Sequence, residues 1–330
     1  MILVVGATGQ VGSAIVRGLR ERGVEVTALL RPTADAEALA AMGVRIARGD
    51  LRDPLSLRAA CDGAERVVAT ANTIVPRPGE RADFDAVVRG YAELGRLARA
   101  AGVRRFLFVS VPREFMNRGA AEFDAKARCE AALGADGPTL TLARFSLLME
   151  VWLPWLGTRL PLRGSRQATL DRGFWLTRLA GILFQRSLDR FGVASITGDG
   201  TARHAFIAVD DVANALVAAA TTDDGLPGEL RLGGPEALSW REAVEAYGRA
   251  SGTRVRAFHQ PAGLYRALSK LAAPLSAAAS QLLASQAIAA TTSSAYPAVD
   301  ARRLLGRDPM SVEEFFRERL AFPAAAGVSR

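Results

Sequence analysis

Residues 2–12 read Ile-Leu-Val-Val-Gly-Ala-Thr-Gly-Gln-Val-Gly, an apolar run that leads into three regularly spaced glycines. The run Ile2–Val5 is too short for a helix and is typical of a buried strand, whereas the residues after it show the 3.6-residue period of a helix. In such a turn one glycine permits the tight bend, the next lets backbone approach a ligand, and the last lets the helix pack on the strand. The stretch therefore predicts a strand, a glycine turn and a helix in direct succession.

A turn of this kind is suited to phosphate groups. The first N–H groups of the helix have no partner within it, and the helix dipole is positive at this end. We predict that the turn binds the diphosphate of a dinucleotide; a tight turn that carries no ligand is the alternative. The residues expected to contact the dinucleotide here are Gly6, Thr8, Gly9, Gln10, Val11 and Gly12.

The first half of the chain alternates short apolar runs with amphipathic helical patterns. Because buried parallel strands read as continuous apolar runs, this rhythm predicts an α/β fold with a doubly wound parallel Rossmann sheet. After Arg144 the pattern becomes irregular, which predicts a smaller, mostly helical substrate domain. We assign 1–146 and 201–234 to the dinucleotide-binding domain, and 147–200 and 235–330 to the smaller region. The predicted strands of the first half are Ile2–Val5, Val24–Leu30, Val44–Ala47, Val67–Ala71, Phe106–Ser110 and Leu140–Arg144.

Turn and capping residues locate the later elements. Ser239 with Glu242, and Ser311 with Glu314, fit capping boxes at helix starts. The other elements predicted for the second half are strands at Ala205–Val209, Glu229–Leu232 and Arg254–His259, helices at Asp210–Ala220, Ser239–Ser251 and Val312–Leu320, and one long apolar helix from Leu264.

The ends of the second and third strands bear on the choice of cofactor. An NAD site carries an acidic residue where the second strand ends, because a carboxylate binds the ribose 2′-hydroxyl. Here that position is Arg31, which suits the 2′-phosphate of NADP, and Asp35 lies too far on. We predict NADPH as the cofactor; a merely solvated Arg31 is the alternative. In Gly49-Asp50-Leu51, Asp50 is expected to accept from the adenine amino group, or else to cap the helix after Pro54.

Composition excludes several classes of function. The positive charge comes almost entirely from arginine, because Lys126 and Lys270 are the only lysines among the 42 basic residues. The formal net charge is +8. The arginines are scattered among acidic residues, so no nucleic-acid partner is expected. Two cysteines and two histidines cannot form a Cys/His zinc site, and no metal is expected.

No apolar run is long enough to cross a bilayer, although the helix after Leu264 would allow weak peripheral contact with a membrane. The direct start in a strand leads us to expect a cytoplasmic protein.

Together these residues resemble the short-chain dehydrogenase/reductase superfamily, in particular its atypical NmrA-like branch, which is similar to isoflavone-reductase-like and quinone-oxidoreductase-like proteins. The likeness rests on the glycines at 6, 9 and 12, on Gly49-Asp50-Leu51, on the run 100–110, and on Leu142-Ala143-Arg144-Phe145 with Met149-Glu150. It implies that the segment containing Phe145 closes over the nicotinamide. It also implies that Ala71 lies along the cofactor ribose, that Ser110 ends the fifth strand beneath the nicotinamide, and that Lys126 bonds the nicotinamide ribose.

The usual proton donor of such proteins is missing. Relatives usually carry a tyrosine four residues before the lysine, and here that residue is Glu122, followed by Phe123. A glutamate is ionised at neutral pH and cannot donate a proton unless burial raises its pKa. Three interpretations stay open. Lys126 is itself the catalytic acid and base, as the isoflavone-reductase-like resemblance suggests; or the acceptor is a quinone or enone that takes its proton from water; or the site is catalytically silent.

Aromatic and long apolar side chains are expected beside the nicotinamide. Such a wall suits a hydrophobic planar small-molecule substrate; the alternative is that these residues are core between the two layers. The leading hypothesis is an NADPH-dependent oxidoreductase that transfers hydride to a hydrophobic carbonyl, enone or quinone. A non-catalytic NADP-binding regulatory or assembly protein is the second. The residues of the expected wall are Phe115, Phe145, Met149, Trp152, Trp155 and Trp175.

Overall fold

The computed structural model describes residues 1–71, 83–136, 138–158, 187–223 and 225–321. The chain divides into two compact units. The first consists of Met1–Phe145, Val209–Leu232 and Asp300–Arg307, and the second of Ser146–Ala208, Gly233–Val299 and Asp308–Arg330. Compared with the expected domain bounds, this division gives 146, 201–208 and 233–234 to the second unit and 300–307 to the first.

The first unit is built on a parallel sheet. The strands of the described residues are β1 Ile2–Val5, β2 Val26–Leu30, β3 Arg45–Arg48, β4 Arg66–Ala69, β5 Arg105–Ser110, β6 Thr139–Phe145, β7 Val193–Thr197, β8 Arg203–His204, β9 Glu229–Leu232, β10 Leu238–Ser239 and β11 Arg256–Gln260. Seven of these strands form the sheet, in the spatial order β3-β2-β1-β4-β5-β6-β9. Every neighbouring pair runs parallel. This is the doubly wound Rossmann arrangement, so the predicted fold class is confirmed.

Helices cover this sheet with the apolar faces that the sequence predicts. In the first helix Val11, Ile15 and Leu19 are buried, and a core cluster joins Leu3 and Phe106 of the strands to Leu94 of the fourth helix. The strands of the first half lie within two residues of their predicted bounds. The helices of this unit are α1 Gln10–Glu21, α2 Glu37–Ala41, α3 Pro54–Cys61, α4 Phe84–Ala100 and α5 Ala121–Asp136, with Val209–Thr221 and, from Asp300 onward, Val299–Leu305.

Helix α4 approaches the loop after β3 very closely. A Cβ atom on Gly90 would lie 2.4 Å from the carbonyl oxygen of Leu51 and 2.8 Å from its Cβ. Leu51 itself packs against the core cluster that contains Tyr91 and Leu94. The missing side chain at residue 90 therefore lets Leu51, next to Asp50, settle against the helix.

The second unit combines short sheets with helices. Strands β7 and β11 pair in parallel, and β8 pairs with β10 antiparallel. Both capping boxes are confirmed: Ser239 caps with Glu242, and Ser311 caps with Glu314. Within the part of the chain that the structure describes, no helix is both long and apolar enough to cross a membrane. The helices of this unit are Met149–Trp152, Ser187–Phe191, Trp240–Ser251, Ala262–Ala272, Ala277–Thr291 and Val312–Leu320.

The predicted strand Ala205–Val209 is wrong. The residues 205–208 are buried but form no ladder, because their backbone groups bond three different segments instead of one partner strand. The N–H of Ala205 donates to the carbonyl of Ser294, that of Ile207 donates to Leu147, and the carbonyl of Ala205 accepts from Gly234. Helix formation already begins at Val209.

The single long helix predicted from Leu264 is also wrong. The structure has two helices here, Ala262–Ala272 and Ala277–Thr291, with Pro274 between them. Proline lacks the N–H that a continuing helix needs, and its ring clashes with the preceding turn. Ser276 then caps the second helix by accepting from the N–H of Ala279.

Gly90→Ala should destabilise the protein, because the added Cβ would meet backbone that cannot move aside. Overpacking of this kind costs about 1–3 kcal/mol. The matched control is Gly134→Ala in α5, where a Cβ would meet nothing within 4 Å, and alanine is there neutral or slightly stabilising. Urea unfolding of both variants tests this, and equal stabilities would contradict the close contact.

Candidate dinucleotide-binding and active site

The glycine turn between β1 and α1 is closed by contacts of its own backbone. Gly6 has a φ of +93°, and its carbonyl accepts from the N–H of Gly9 at 2.9 Å. A Cβ on Gly6 would lie 2.6 Å from the nitrogen of Ala71, and one on Gly12 would lie 2.1 Å from the oxygen of Gly6. The first and third glycines are therefore required by the packing of the turn itself.

The middle of the turn has the features of an anion site. Gly9 is exposed and is the N-cap of α1; no side chain caps the helix, and its first turn contains no acidic residue. A negatively charged group placed here would therefore meet the N–H groups and the positive dipole of the helix without a competing carboxylate. Thr8 and Gln10 flank Gly9 and are half-buried, whereas Val11 is buried in the core. This cradle fits a diphosphate.

The end of β4 is fixed beside this turn. The N–H groups of Thr70 and Ala71 both donate to the carbonyl of Val5. The carbonyl of Ala71 accepts from the hydroxyl of Tyr91 at 2.6 Å and from Nζ of Lys126 at 3.3 Å. Ala71 therefore links the glycine turn to α4 and α5. The sequence gives no signal of the bond from Tyr91, whose ring is fully buried.

Lys126 is a buried cation, only 5% exposed. Its Nζ also donates to the carbonyl of Val109 at 3.0 Å and lies 4.6 Å from the centroid of the Phe108 ring. Burial lowers the pKa of Lys126 from its ordinary value, against the nearby Cys129, Glu122 and Glu130, which raise it. A buried lysine with a lowered pKa can exchange a proton, which an arginine at this place could not.

Glu122 is the residue that stands in the place of the usual tyrosine. It is 3% exposed, and burial raises its pKa to about 8, with the charge of Lys126 acting in the opposite direction. Burial thus raises the pKa enough for the carboxyl to hold its proton at neutral pH, which a glutamate needs in order to donate a proton. Glu122 and Lys126 stand one turn apart on α5, so both titratable groups share one face of the helix.

Ser110 and Arg144 belong to a buried charged network at the ends of β5 and β6. The Ser110 hydroxyl donates to Oε1 of Glu130. Arg144, 1% exposed, binds Glu130 through two hydrogen bonds of 2.7 and 2.6 Å and donates to Glu229 at 3.1 Å. Burial would raise the pKa of Glu229, but hydrogen bonds from Arg231, Arg113 and Arg144 hold it at about 2. This network was not predicted from the sequence. The one feature that could have indicated it is an arginine, Arg144, within a strand expected to be buried.

Arginines gather where β2 and β3 end. Nη1 of Arg48 donates to the carbonyls of Arg31, Pro32 and Ala34, at 2.6 Å for the last. Arg48 thereby shapes the loop that carries Arg31.

Asp50 does not cap the helix after Pro54, so that alternative is wrong. The N-cap is Asp53, which accepts from the N–H of Leu55. The carboxylate of Asp50 instead binds Nε and Nη2 of Arg52, at 2.8 and 2.9 Å. These bonds with Arg52 lower the pKa of Asp50, with a smaller effect from Arg31. Asp50 is therefore ionised and near two guanidinium groups.

The residues of the expected aromatic wall fall in different units. In the first unit Phe115 is buried and stacks on Phe123, with ring centroids 5.7 Å apart, and Phe145, the last residue of β6, is half-buried. In the second unit Met149 is fully buried, whereas Trp152 and Trp155 are half-buried. The burial of Phe115 and Met149 favours their interpretation as core. Trp175 lies outside the described residues.

A buried histidine in the second unit, His204, has a structural role. His204 is 0% exposed; its Nδ1 lies 2.8 Å from the Ser294 hydroxyl and its Nε2 lies 2.8 Å from the carbonyl of Ala289. Burial lowers the pKa of His204 to about 4, so the ring is neutral. A neutral ring bonded on both sides and closed to solvent cross-links the backbone around it.

A model of the NmrA-like family matches residues 1–316. The chain belongs to this family. The resemblance on which the sequence analysis relied is thus confirmed.

Curated relatives match this NmrA-like chain over about a third of its length and about a third of their own. It is 45% identical over 109 residues, 33% of either chain, to "Sterol demethylase protein B" of Methylococcus capsulatus. It is 41% identical over 107 residues to NAD(P)H azoreductase of Xenophilus azovorans, 32% of this chain and 34% of that protein. It is 33% identical over 111 residues to photosystem II assembly factor Ycf39 of Cyanophora paradoxa, 33% of this chain and 34% of that protein.

Solved structures share the fold over nearly the full length. A nucleoside-diphosphate-sugar epimerase from Staphylococcus aureus has a TM-score of 0.70 at 16% identity, covering 96% of this chain and 99% of that chain. An NADPH-dependent quinone oxidoreductase from Escherichia coli, complexed with NADPH, has a TM-score of 0.69 at 19% identity, with the same coverage. At these identities the likeness establishes the fold.

Glu122→Gln should stabilise the protein increasingly as pH rises. In the folded state Glu122 keeps its proton up to about pH 8, whereas its ordinary pKa is 4.5. The folded state binds more protons between these values, so the stability of the wild type falls there by up to about 1.4 kcal/mol per pH unit. Glutamine does not titrate and escapes this loss.

Urea unfolding of the Glu122→Gln variant and wild type at pH 5, 6.5 and 8 measures the effect, with exposed Glu21→Gln as the control for removal of a carboxylate. The stability difference should grow with pH for residue 122. A difference that stays constant across this range would mean that Glu122 is ionised in the folded protein.

Proposed function

We propose that this NmrA-like protein is an NADPH-dependent reductase that transfers hydride to a hydrophobic carbonyl, enone or quinone. The observation that carries the proposal is the start of α1, which no side chain caps and where Gly9 is exposed. The turn before it is so closely packed that a Cβ on Gly6 would meet Ala71 and a Cβ on Gly12 would meet Gly6. A Rossmann sheet with such a turn binds the diphosphate of a dinucleotide. In our proposal Gly6, Thr8, Gly9, Gln10 and Gly12 hold it.

Relatives support this chemistry. One local relative is named an NAD(P)H azoreductase, and a neighbour of the same fold is a quinone oxidoreductase complexed with NADPH. Both names describe reductases that use a nicotinamide cofactor. The half-buried Trp152 and Trp155 of the second unit are consistent with a hydrophobic substrate.

The choice of NADPH rests on the arginines beyond β2 and β3. A 2′-phosphate is bound best by guanidinium groups, which present paired donors and a fixed charge. Arg31 is the proposed partner, on a loop that Arg48 holds through three carbonyls. The ionised Asp50 is already bound by Arg52, which reduces its repulsion of a phosphate nearby.

The bound cofactor would supply hydride, and the protein would have to supply or admit a proton. Glu122 and Lys126 are the candidates: the first is a carboxyl that keeps its proton at neutral pH, and the second is a buried amine with a lowered pKa. We propose that this pair provides the proton when the acceptor is a ketone. Lys126, whose Nζ lies against Ala71 and Val109, would also bind the nicotinamide ribose beside Ser110 and Phe145. For a quinone or enone, water can provide the proton instead.

A non-catalytic, NADP-binding regulatory or assembly protein is the second candidate. It is favoured by the glutamate at the position of the usual tyrosine and by the local similarity to an assembly factor. In that case the glycine turn would bind the dinucleotide while the Glu122–Lys126 pair would only stabilise α5.

Arg31→Ala should weaken the binding of NADPH selectively. Loss of a guanidinium from a phosphate should raise the Kd for NADPH about tenfold or more, which corresponds to about 1.4 kcal/mol, with little change for NADH. Fluorescence titration of both cofactors measures this. Arg17→Ala, an exposed arginine on α1, is the control. Tighter binding of NADH than NADPH by the wild type would refute the assignment of Arg31.

Substitutions at residues 122 and 126 should depend on the acceptor. Glu122→Gln keeps the shape of the side chain without its acid, and Lys126→Arg keeps the charge without a transferable proton. If either group donates the proton, kcat with a ketone should fall about 100-fold or more for that variant, while turnover of a quinone should change only a few-fold.

Lys270→Arg makes the same chemical change at an exposed residue and is the control for this series. Equal losses with both acceptors would indicate a role in binding rather than proton transfer. Tight NADPH binding with no turnover of any ketone, enone or quinone would favour the second candidate.

A further inference from the structure

The helix Ala262–Ala272 and the turn after it present a leucine stripe, formed by Leu264, Leu268, Leu271 and Leu275. Leu264, Leu268 and Leu271 follow one another at intervals of four and three, which places them along one face of the helix, and Leu275 lies in the turn after it. Their exposed fractions are 49, 40, 69 and 85%, highest at the tip next to Pro274. Single exposed leucines are ordinary, but a continuous stripe of them marks an interaction surface.

The helix is attached to the rest of its unit by another side. Among its described residues Ser269 alone is buried, and its hydroxyl donates to the carbonyl of Ser280 on the neighbouring helix at 2.8 Å. Arg266 donates to the hydroxyl of Thr291 on that same helix. These polar contacts hold the helix in place and leave the leucine stripe exposed to solvent.

The stretch of sequence that contains the stripe carries basic residues and no acidic ones. No Asp or Glu occurs between Glu245 and Asp300, and exposed Phe258 adds a further apolar side chain just before the helix. Lys270 lies about 100° around the helix from Leu271, so its long side chain can extend along the helix toward the same surface. Arg249, at the start of this acid-free segment, is paired with Glu313; the other basic residues of the segment are Arg254, Arg256, Arg266 and Lys270.

We propose that this helix and its tip dock on an anionic membrane surface. The leucine stripe enters the boundary between headgroups and acyl chains, while the basic side chains contact lipid phosphates. Amphipathic helices that bind bilayers this way combine an apolar face with lysine and arginine. A second copy of the chain fits the surface less well, because it would bring two acid-free basic segments together.

Sedimentation of the full chain with lipid vesicles tests the proposal. One set contains phosphatidylcholine alone, and in the other about a third of the lipid is phosphatidylglycerol. We expect at least about tenfold stronger partitioning to the anionic vesicles, with most of it lost when salt is raised from about 0.05 to 0.5 M, since salt screens the attraction. Equal binding to both vesicles, or binding to neither, would overturn the proposal.

Variants then locate the surface. Leu271→Glu with Leu275→Glu should reduce partitioning about tenfold or more, and Lys270→Gln should reduce it by less. The control is Leu55→Glu with Val299→Glu, which changes two other strongly exposed apolar residues. All four sites are at the surface, so circular dichroism and urea unfolding should match the wild type.

Two results would assign the stripe to something else. If the wild type is a dimer by light scattering and the Leu271→Glu, Leu275→Glu variant is a monomer, a second copy covers the stripe and the membrane proposal fails. If both double variants lose partitioning equally, the binding comes from general surface properties and not from this helix. The salt dependence of the wild type remains a test even if a variant fails to fold.

Discussion

Direct contact between backbone segments at residues 6, 12 and 71 is the constraint on which the candidate site depends. Because neither Gly6 nor Gly12 has room for a side chain, α1 begins directly against the end of β1, and β1 lies directly beside the end of β4. The carbonyl of Ala71 then collects hydrogen bonds from Tyr91 and Lys126. One small region thereby fixes the positions of α1, α4 and α5, and with them the end of the sheet that carries the candidate site.

Among the described residues of the first unit, Arg144 and Lys126 are buried cations that are stabilised in different ways. Arg144 cannot give up its charge, and the structure surrounds it with the carboxylates of Glu130 and Glu229. Lys126 is held by carbonyl oxygens and an aromatic face, which stabilise a charge less completely than a carboxylate pair. The first arrangement is a permanent structural ion pair. The second leaves a group whose protonation can change, and it lies beside the residue that replaces the usual acid.

Local patterns in the sequence were sufficient for much of this fold. The central strands of the parallel sheet, such as β1 and β2, could be predicted because they are fully buried and read as short apolar runs. The same reasoning failed at 205–208, where burial has another cause: these residues bond three separate segments. The break at Pro274 was visible in the sequence, but its apolar surroundings suggested continuity.

Only those features of the candidate site that depend on residues close together in the sequence could be predicted. The glycine turn and Arg31 follow from spacing along the chain, whereas the raised pKa of Glu122 depends on burial, which exists only in the folded protein. The partners of Arg144 and the three-carbonyl contact of Arg48 likewise arise only when strands and helices pack. Asp50 illustrates the limit: pattern alone allowed it to be a helix cap, and the cap is Asp53.

The first unit draws its residues from three separate stretches of the chain. The last stretch is joined by Asp300, which accepts from the N–H of Arg231, and by Arg307, which pairs with Asp211. A ribosome making this protein therefore releases β6 long before β9 arrives to pair with it. Until then the nascent chain exposes an open sheet edge, the kind of surface that recruits chaperones or a neighbouring unfinished chain.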